Sequence, residues 1–160
     1  VTDLAAAAST LGAATRLRQY RIALPAGMKL LNANQRLHHR AKAPLTKDIR
    51  EAARLMARQA KIPHLERAHV FYVVHPVSTA RLRDPGNWAP SAKAAVDGMV
   101  DAGVLEDDNS TRLLGPDPRL GTPVKHGQLV LVITDLGDFP ADFLGLFDPT
   151  RQIVAPRGAR

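Results

Sequence analysis

The chain predicts an α+β domain, a mixed β-sheet with helices packed on it. Three observations lead there. Its 160 residues are enough for one domain with a full core. Two stretches, His69–Val77 and Gln128–Thr134, are rich in β-branched and apolar residues. The patterned segments follow the order strand, helix, strand, helix, then short strands.

Residues 1–19 read as a variable, Ala-rich extension. They lack the pattern of a signal peptide: the first charge is Asp3, the basic residues follow the apolar part, and Ser, Thr and Gly interrupt it. Tyr20–Leu24 alternates apolar and polar residues as a strand does, and Pro25, Ala26 and Gly27 end it. A basic loop from Leu31 to Lys42 carries Arg36, His38, His39 and Arg40. Thr46 then predicts an N-cap, with Asp48 in the first turn, for a helix running to about Lys61 and stopped by Pro63. Ile49, Ala52, Ala53, Met56 and Ala60 form its apolar face. Lys47, Arg50, Arg54, Arg58 and Lys61 form a basic stripe opposite, with Glu51 only at its edge; phosphate contact and a merely solvated face weigh about equally there.

After the strand His69–Val77, a second helix is expected from near Ala89, with Pro90 in its first turn, to Gly103. Ala92, Val96, Met99, Val100 and Val104 share a face. The strand Gln128–Thr134 closes the domain at about residue 136, and the basic segment 137–160 is expected to be a mobile tail.

The formal net charge is +7 and the pI about 10.4. Both favour an acidic partner, nucleic acid first and an anionic membrane second. With no cysteine there is no disulfide, thiolate nucleophile or Cys-based zinc site. The six histidines are dispersed, without zinc-ligand spacing. No apolar run approaches the roughly 20 residues that span a bilayer. The lack of cysteine suits a reducing compartment, and a cytoplasmic protein is the expectation. Aromatic residues make up only 4% of the chain, which argues against base stacking as the main binding mode.

Within this basic chain, six of the fifteen acidic residues fall between Arg81 and Arg112: Asp84, Asp97, Asp101, Glu106, Asp107 and Asp108. A hard divalent cation held beside a polyanion is one physical reason for such a concentration. Asp84 precedes Pro85-Gly86-Asn87, a sequence that turns sharply and can aim a carboxylate outward; alone, it is more often just a turn. If the preceding strand persists, Arg81 and Arg83 share one face and Asp84 the other. Asp107-Asp108-Asn109 alone reads as an acidic loop, but a helix returning along its strand can bring it near Asp84. Lys93 can contact a scissile phosphate, or form an ordinary i, i+4 pair with Asp97.

Arg83-Asp84-Pro85-Gly86-Asn87, then Lys93-Ala-Ala-Val-Asp97-Gly98, then Asp101-Ala-Gly-Val-Leu-Glu-Asp107-Asp108 resembles the RusA family of Holliday junction resolvases, in its phage and prophage versions. The loop from Leu31 and the following helix are similar too, and the resemblance covers about Tyr20 to Thr134. It implies a RusA-like fold and a homodimeric, Mg²⁺-dependent endonuclease, with Mn²⁺ able to substitute, that nicks four-way DNA junctions symmetrically. A two-fold dimer suits a two-fold substrate. By the same resemblance Asp84, Lys93 and Asp108 are catalytic, with Asp84 and Asp108 on the metal. Arg36, His38, Arg40, Lys42, Arg81, Arg83 and Asn87 are expected on the DNA. One position departs: many members carry a second Asp where this chain has Gly86, so that either the metal site uses fewer carboxylates or Asp97 or Asp107 takes the missing place on the metal. Two alternatives stay open, a junction or duplex binder of the same fold with weakened catalysis, and a basic structural protein without a nucleic-acid role.

Overall fold

A four-stranded mixed sheet carries two helices, the expected α+β architecture. The computed structural model describes residues 17–81 and 83–137. Expectations for residues 1–16 and for the tail from 138 onward lie outside the described residues. In chain order the elements are β1 (Gln19–Ala23), α1 (His39–Gln59), β2 (Ala68–His75), a 3₁₀ turn (Pro85–Trp88), α2 (Ala89–Asp101), β3 (Leu113–Leu120) and β4 (Gln128–Asp135). The strand order is β1-β4-β2-β3. β4 runs antiparallel to both β1 and β2, and β3 runs parallel to β2. Parallel neighbours need a long crossover, which the 3₁₀ turn and α2 supply.

Strand periodicity sets the core. Ala68, Val70, Tyr72 and Val74 alternate onto the buried side of β2. Val70, Tyr72 and Val74 pair in register with Ile133, Leu131 and Leu129 of β4, all buried. Ile49, Ala53 and Ala57 of α1, and Ala92, Ala95, Val96 and Met99 of α2, join the same core. On the other side of β2, His69 is hydrogen-bonded to Asp117 of β3 at 2.7 Å, and the guanidinium of Arg119 sits over the Phe71 ring at 4.3 Å. These contacts fasten the edge strand.

Several boundaries differ from expectation. α1 begins at His39, not after Thr46, so the basic loop contributes most of its cations from a helix. Helical backbone bonds already run from Ala41 and Lys42 to the His38 carbonyl. Pro44 lies inside the helix and lacks a donor for the Arg40 carbonyl. Both residues are exposed, so water can satisfy that carbonyl. Thr46 turns its hydroxyl back onto the Lys42 carbonyl at 3.0 Å instead of capping. Ala60, expected on the apolar face, is exposed, and Ala57 is buried in its stead. β2 stops at His75, so the alternation assumed for Arg81, Arg83 and Asp84 does not apply. β3, which contains Gly115, Pro116 and Pro118, was not individually expected. It is an edge strand, where Pro is tolerated because one side of its backbone needs no partner.

The helices meet at Gly98. A Cβ built there would lie 2.1 Å from the Arg50 carbonyl oxygen and 2.9 Å from the Ala53 Cβ. Only glycine allows the two backbones this close. The contact brings Arg50 into a bidentate pair with Asp101 one turn further along α2, at 2.5 and 2.7 Å. Arg54 is paired with Glu51. The basic stripe is therefore partly neutralised, by one acid on the neighbouring helix and one at its own edge.

Candidate active site

The 3₁₀ turn runs directly into the first turn of α2, and this stretch is the floor on which the N-terminal loop is fastened. The Asp84 carboxylate accepts a hydrogen bond from the Gly86 amide at 2.8 Å, and the Asp84 carbonyl accepts one from Asn87. Asp84 thus acts as the N-cap of the 3₁₀ turn. Pro90 follows in the first turn of α2, where its missing N–H costs no helical bond. The charge of Asp84 is also felt inside the fold. Burial pushes the Tyr72 phenol above its ordinary value, and the negative charges of Asp84 and Asp117 push it further.

The loop before α1 is clamped onto this floor by Ser91. Its hydroxyl, fully buried, accepts the Leu31 amide at 2.7 Å and donates to the Leu31 carbonyl at 2.8 Å. The Asn87 carbonyl accepts the Ala33 amide at 2.7 Å. Sequence reasoning missed Ser91. The available signal was a polar residue among Ala92, Ala94 and Ala95 on a helix buried nearly all round.

α2 hides Ala92, Ala94, Ala95 and Val96 while leaving Lys93 exposed and Asp97 half-exposed. Gly103, with φ of +83°, ends the helix, and buried Val104 and Leu105 anchor the return. The chain then delivers Asp108 to Lys93. Lys93 Nζ lies 2.5 Å from Asp97 Oδ1 and 2.5 Å from Asp108 Oδ2. Hydrogen bonds to Asp108 and then Asp97 hold the Lys93 ammonium above its ordinary pKa. Asp107 is turned into its own loop. It accepts from the Asn109 side chain and the Asp108 amide, both at 2.8 Å, and these bonds hold its carboxyl below the usual range.

Of the residues expected at the site, Lys93, Asp97 and Asp108 are brought together. Asp84 and Asp107 are each engaged in local turns. Among the described residues, no group of three or more His, Asp or Glu side chains converges as a metal cage. Mg²⁺ needs less: one or two carboxylates, with water and substrate phosphate completing its octahedron. Asp97 and Asp108 already share one cation, the Lys93 ammonium, so their oxygens suit a positive charge.

Of the expected DNA contacts, Arg36, His38, Arg40, Lys42 and Arg81 are exposed. His38 also caps α1, its ring Nδ1 accepting from the Arg40 amide. Arg83 is half-buried, with its Nε sealed from solvent and without a hydrogen-bond acceptor. Asn87 is half-buried and serves the fold through its carbonyl. No helix among the described residues is long and apolar enough to cross a membrane. No protein-family model matches the chain, and no curated protein matches it in sequence.

Proposed function

We propose that this protein is a structure-selective endodeoxyribonuclease that resolves four-way DNA junctions by paired symmetric nicks, in cytoplasmic recombination, repair or phage DNA processing. The observation that carries the reading is Lys93 held between Asp97 and Asp108 on the exposed side of α2, in a chain of net charge +7. The resemblance of this segment to the RusA family adds to it.

The chemistry is hydrolysis of a phosphodiester: water attacks phosphorus, and the bond to the leaving oxygen breaks. Lys93, its pKa raised, stays charged at neutral pH and serves as a cation at the phosphate rather than as a proton acceptor. Asp97 and Asp108 orient its ammonium. Mg²⁺, with Mn²⁺ as substitute, would be held by Asp108 and Asp97, with Asp84 approaching from the 3₁₀ turn, and would supply an activated water and charge stabilisation at the leaving oxygen. A homodimer would present one site to each of two opposed strands.

The test is incubation of the purified protein with an end-labelled mobile four-way junction and a matched duplex, with Mg²⁺ and with EDTA. Paired nicks in the junction alone, lost in EDTA, are expected. Cutting of duplex and junction alike would reject the structural selectivity. A second reading, a junction- or duplex-binding protein of this fold that does not cut, is favoured by the Asp84 carboxylate, which is directed at the Gly86 amide. It predicts tight, salt-sensitive binding without nicks.

A further inference from the structure

A surface trough on α1 adjoins a cavity between α1 and the start of α2. One is a shallow trough of about 570 Å³ along the first turns of α1, lined by His39, Lys42, Ala43, Thr46, Lys47 and Arg50. The other, about 290 Å³, shares Lys42 and Thr46 with the first and ends at Lys93. Sharing Lys42 and Thr46, the two border one another and lead along α1 toward Lys93; they are called the channel below. No acidic side chain lines either part.

The cations in the channel are not equivalent. Arg50 is committed to Asp101. Lys42 and Lys47 are exposed and have no ion-pair partner among the described residues. They stand five positions apart on α1, a rise of about 7.5 Å along the axis and roughly 140° around it, and both line the trough, which they therefore bracket. The inner cavity is walled by Leu31, Leu37 and Pro90. Its volume suits a single nucleotide rather than a base pair.

We infer that this channel is the track for one strand of the DNA substrate, with successive phosphates on Lys47 and Lys42 leading to Lys93. It rests on the reading of the site as a DNA-cleaving one, and of the basic stripe it keeps only Lys47, joined by Lys42 from the turn before it. Arg58 and Lys61, at the far end of α1, lie outside the channel.

The test compares wild type, Lys42→Gln/Lys47→Gln and the charge-matched Arg58→Gln/Lys61→Gln by fluorescence anisotropy on a labelled four-way junction across a salt series. Thermal unfolding of each variant verifies the fold. For the channel pair, the slope of log affinity against log salt is expected to shrink by about two per protomer, about four for the homodimer on its junction, one for each phosphate that is no longer neutralised. The distal pair should leave the slope near that of wild type. An unchanged slope in the channel pair, with wild type binding and cutting junctions, overturns the track alone. Equal losses in both pairs overturn it as well, by showing diffuse attraction. A wild type that binds no DNA overturns the nuclease reading and the track together.

Discussion

Lys93 Nζ lies 2.5 Å from a carboxylate oxygen of Asp108, fifteen residues further along the chain, and as close to Asp97 one turn along its own helix. Such exposed pairs contribute at most about 1 kcal/mol to stability, so Asp108→Asn and Lys93→Gln should fold normally. Cleavage should fall by about 100-fold or more in each, the scale for removing one interaction made in the transition state, while junction binding persists. Single-turnover cleavage and anisotropy on the same preparations check this. Because the Lys93 pKa is raised, its charge is complete at neutral pH and is lost only at strongly alkaline pH, above the ordinary 10.5. The cleavage profile should show no inflection from Lys93 near neutrality.

Asp84 combines a cap with a negative charge, and two substitutions separate them. Asn caps as well as Asp, so Asp84→Asn should keep the turn, whereas Asp84→Ala should cost about 1 kcal/mol. If the carboxylate serves the metal, both should stop cleavage and only the alanine should lower Tm. Full cleavage by Asp84→Asn would leave Asp84 as a cap alone. Gly86→Asp tests the same neighbourhood. A Cβ at Gly86 lies 3.0 Å from the Asp84 carboxylate oxygen, so the new side chain displaces that carboxylate and adds a second one beside it. A Mg²⁺ titration of cleavage should shift to lower concentration, and an unmoved titration would put the ion elsewhere.

Much of this architecture was legible in the sequence where a local pattern agreed with the tertiary environment. The alternation in β2, the Pro90 entry and Gly103 exit of α2, and the i, i+4 relation of Lys93 and Asp97 all have local physical causes. What was not legible depends on contacts distant in sequence. The start of α1 was hidden because Thr46 carries a capping side chain, which instead bonds back to the Lys42 carbonyl, and because Pro44 is accommodated within the helix beside an exposed Arg40. β3 was hidden because its two prolines are acceptable only on an edge, and edge position is a property of the whole sheet. The pairing of Arg50 follows from the approach of α1 to Gly98, which no spacing within α1 reveals.

Ser91 joins two segments sixty residues apart through both polar groups of Leu31. Ser91→Ala leaves a buried amide and carbonyl without partners, at about 1–3 kcal/mol. Chemical denaturation should show that loss, and hydrogen exchange at Leu31 should accelerate beyond the global change. Since this clamp also shapes the inner cavity beside Lys93, cleavage should drop more than junction binding. A stability loss within experimental error would mean that the loop is held by other contacts.

At Gly98 the two helical backbones leave no room for a methyl group. Gly98→Ala must push α1 and α2 apart, because the first atoms met are the backbone of Arg50. The cost of such overpacking is typically about 1–3 kcal/mol, and here it opposes the roughly 1 kcal/mol that alanine gains over glycine in a helix interior. The net effect should be destabilising, read as a lower denaturation midpoint at unchanged slope. A more stable variant would show that the helices can separate freely.

The same crossing gives the fold an acid-sensitive contact. The hydrogen-bonded Arg50 guanidinium holds the Asp101 carboxyl below its ordinary value of 3.8. A depressed folded pKa means that the folded state favours the ionised form. The contribution is therefore fully present above the unfolded pKa and is lost as pH falls through the folded one. Asp101→Asn removes this titration while keeping a side chain of similar shape. Its stability should decline less than that of wild type as pH is lowered from 5 through the carboxylate range to about 2. Glu51, similarly lowered by Arg54, contributes to the wild-type slope in the same direction, so Asp101→Asn should flatten the curve without abolishing its fall. Parallel curves for the two proteins in acid denaturation would show that Asp101 is equally acidic when unfolded, and that the pair adds nothing to stability.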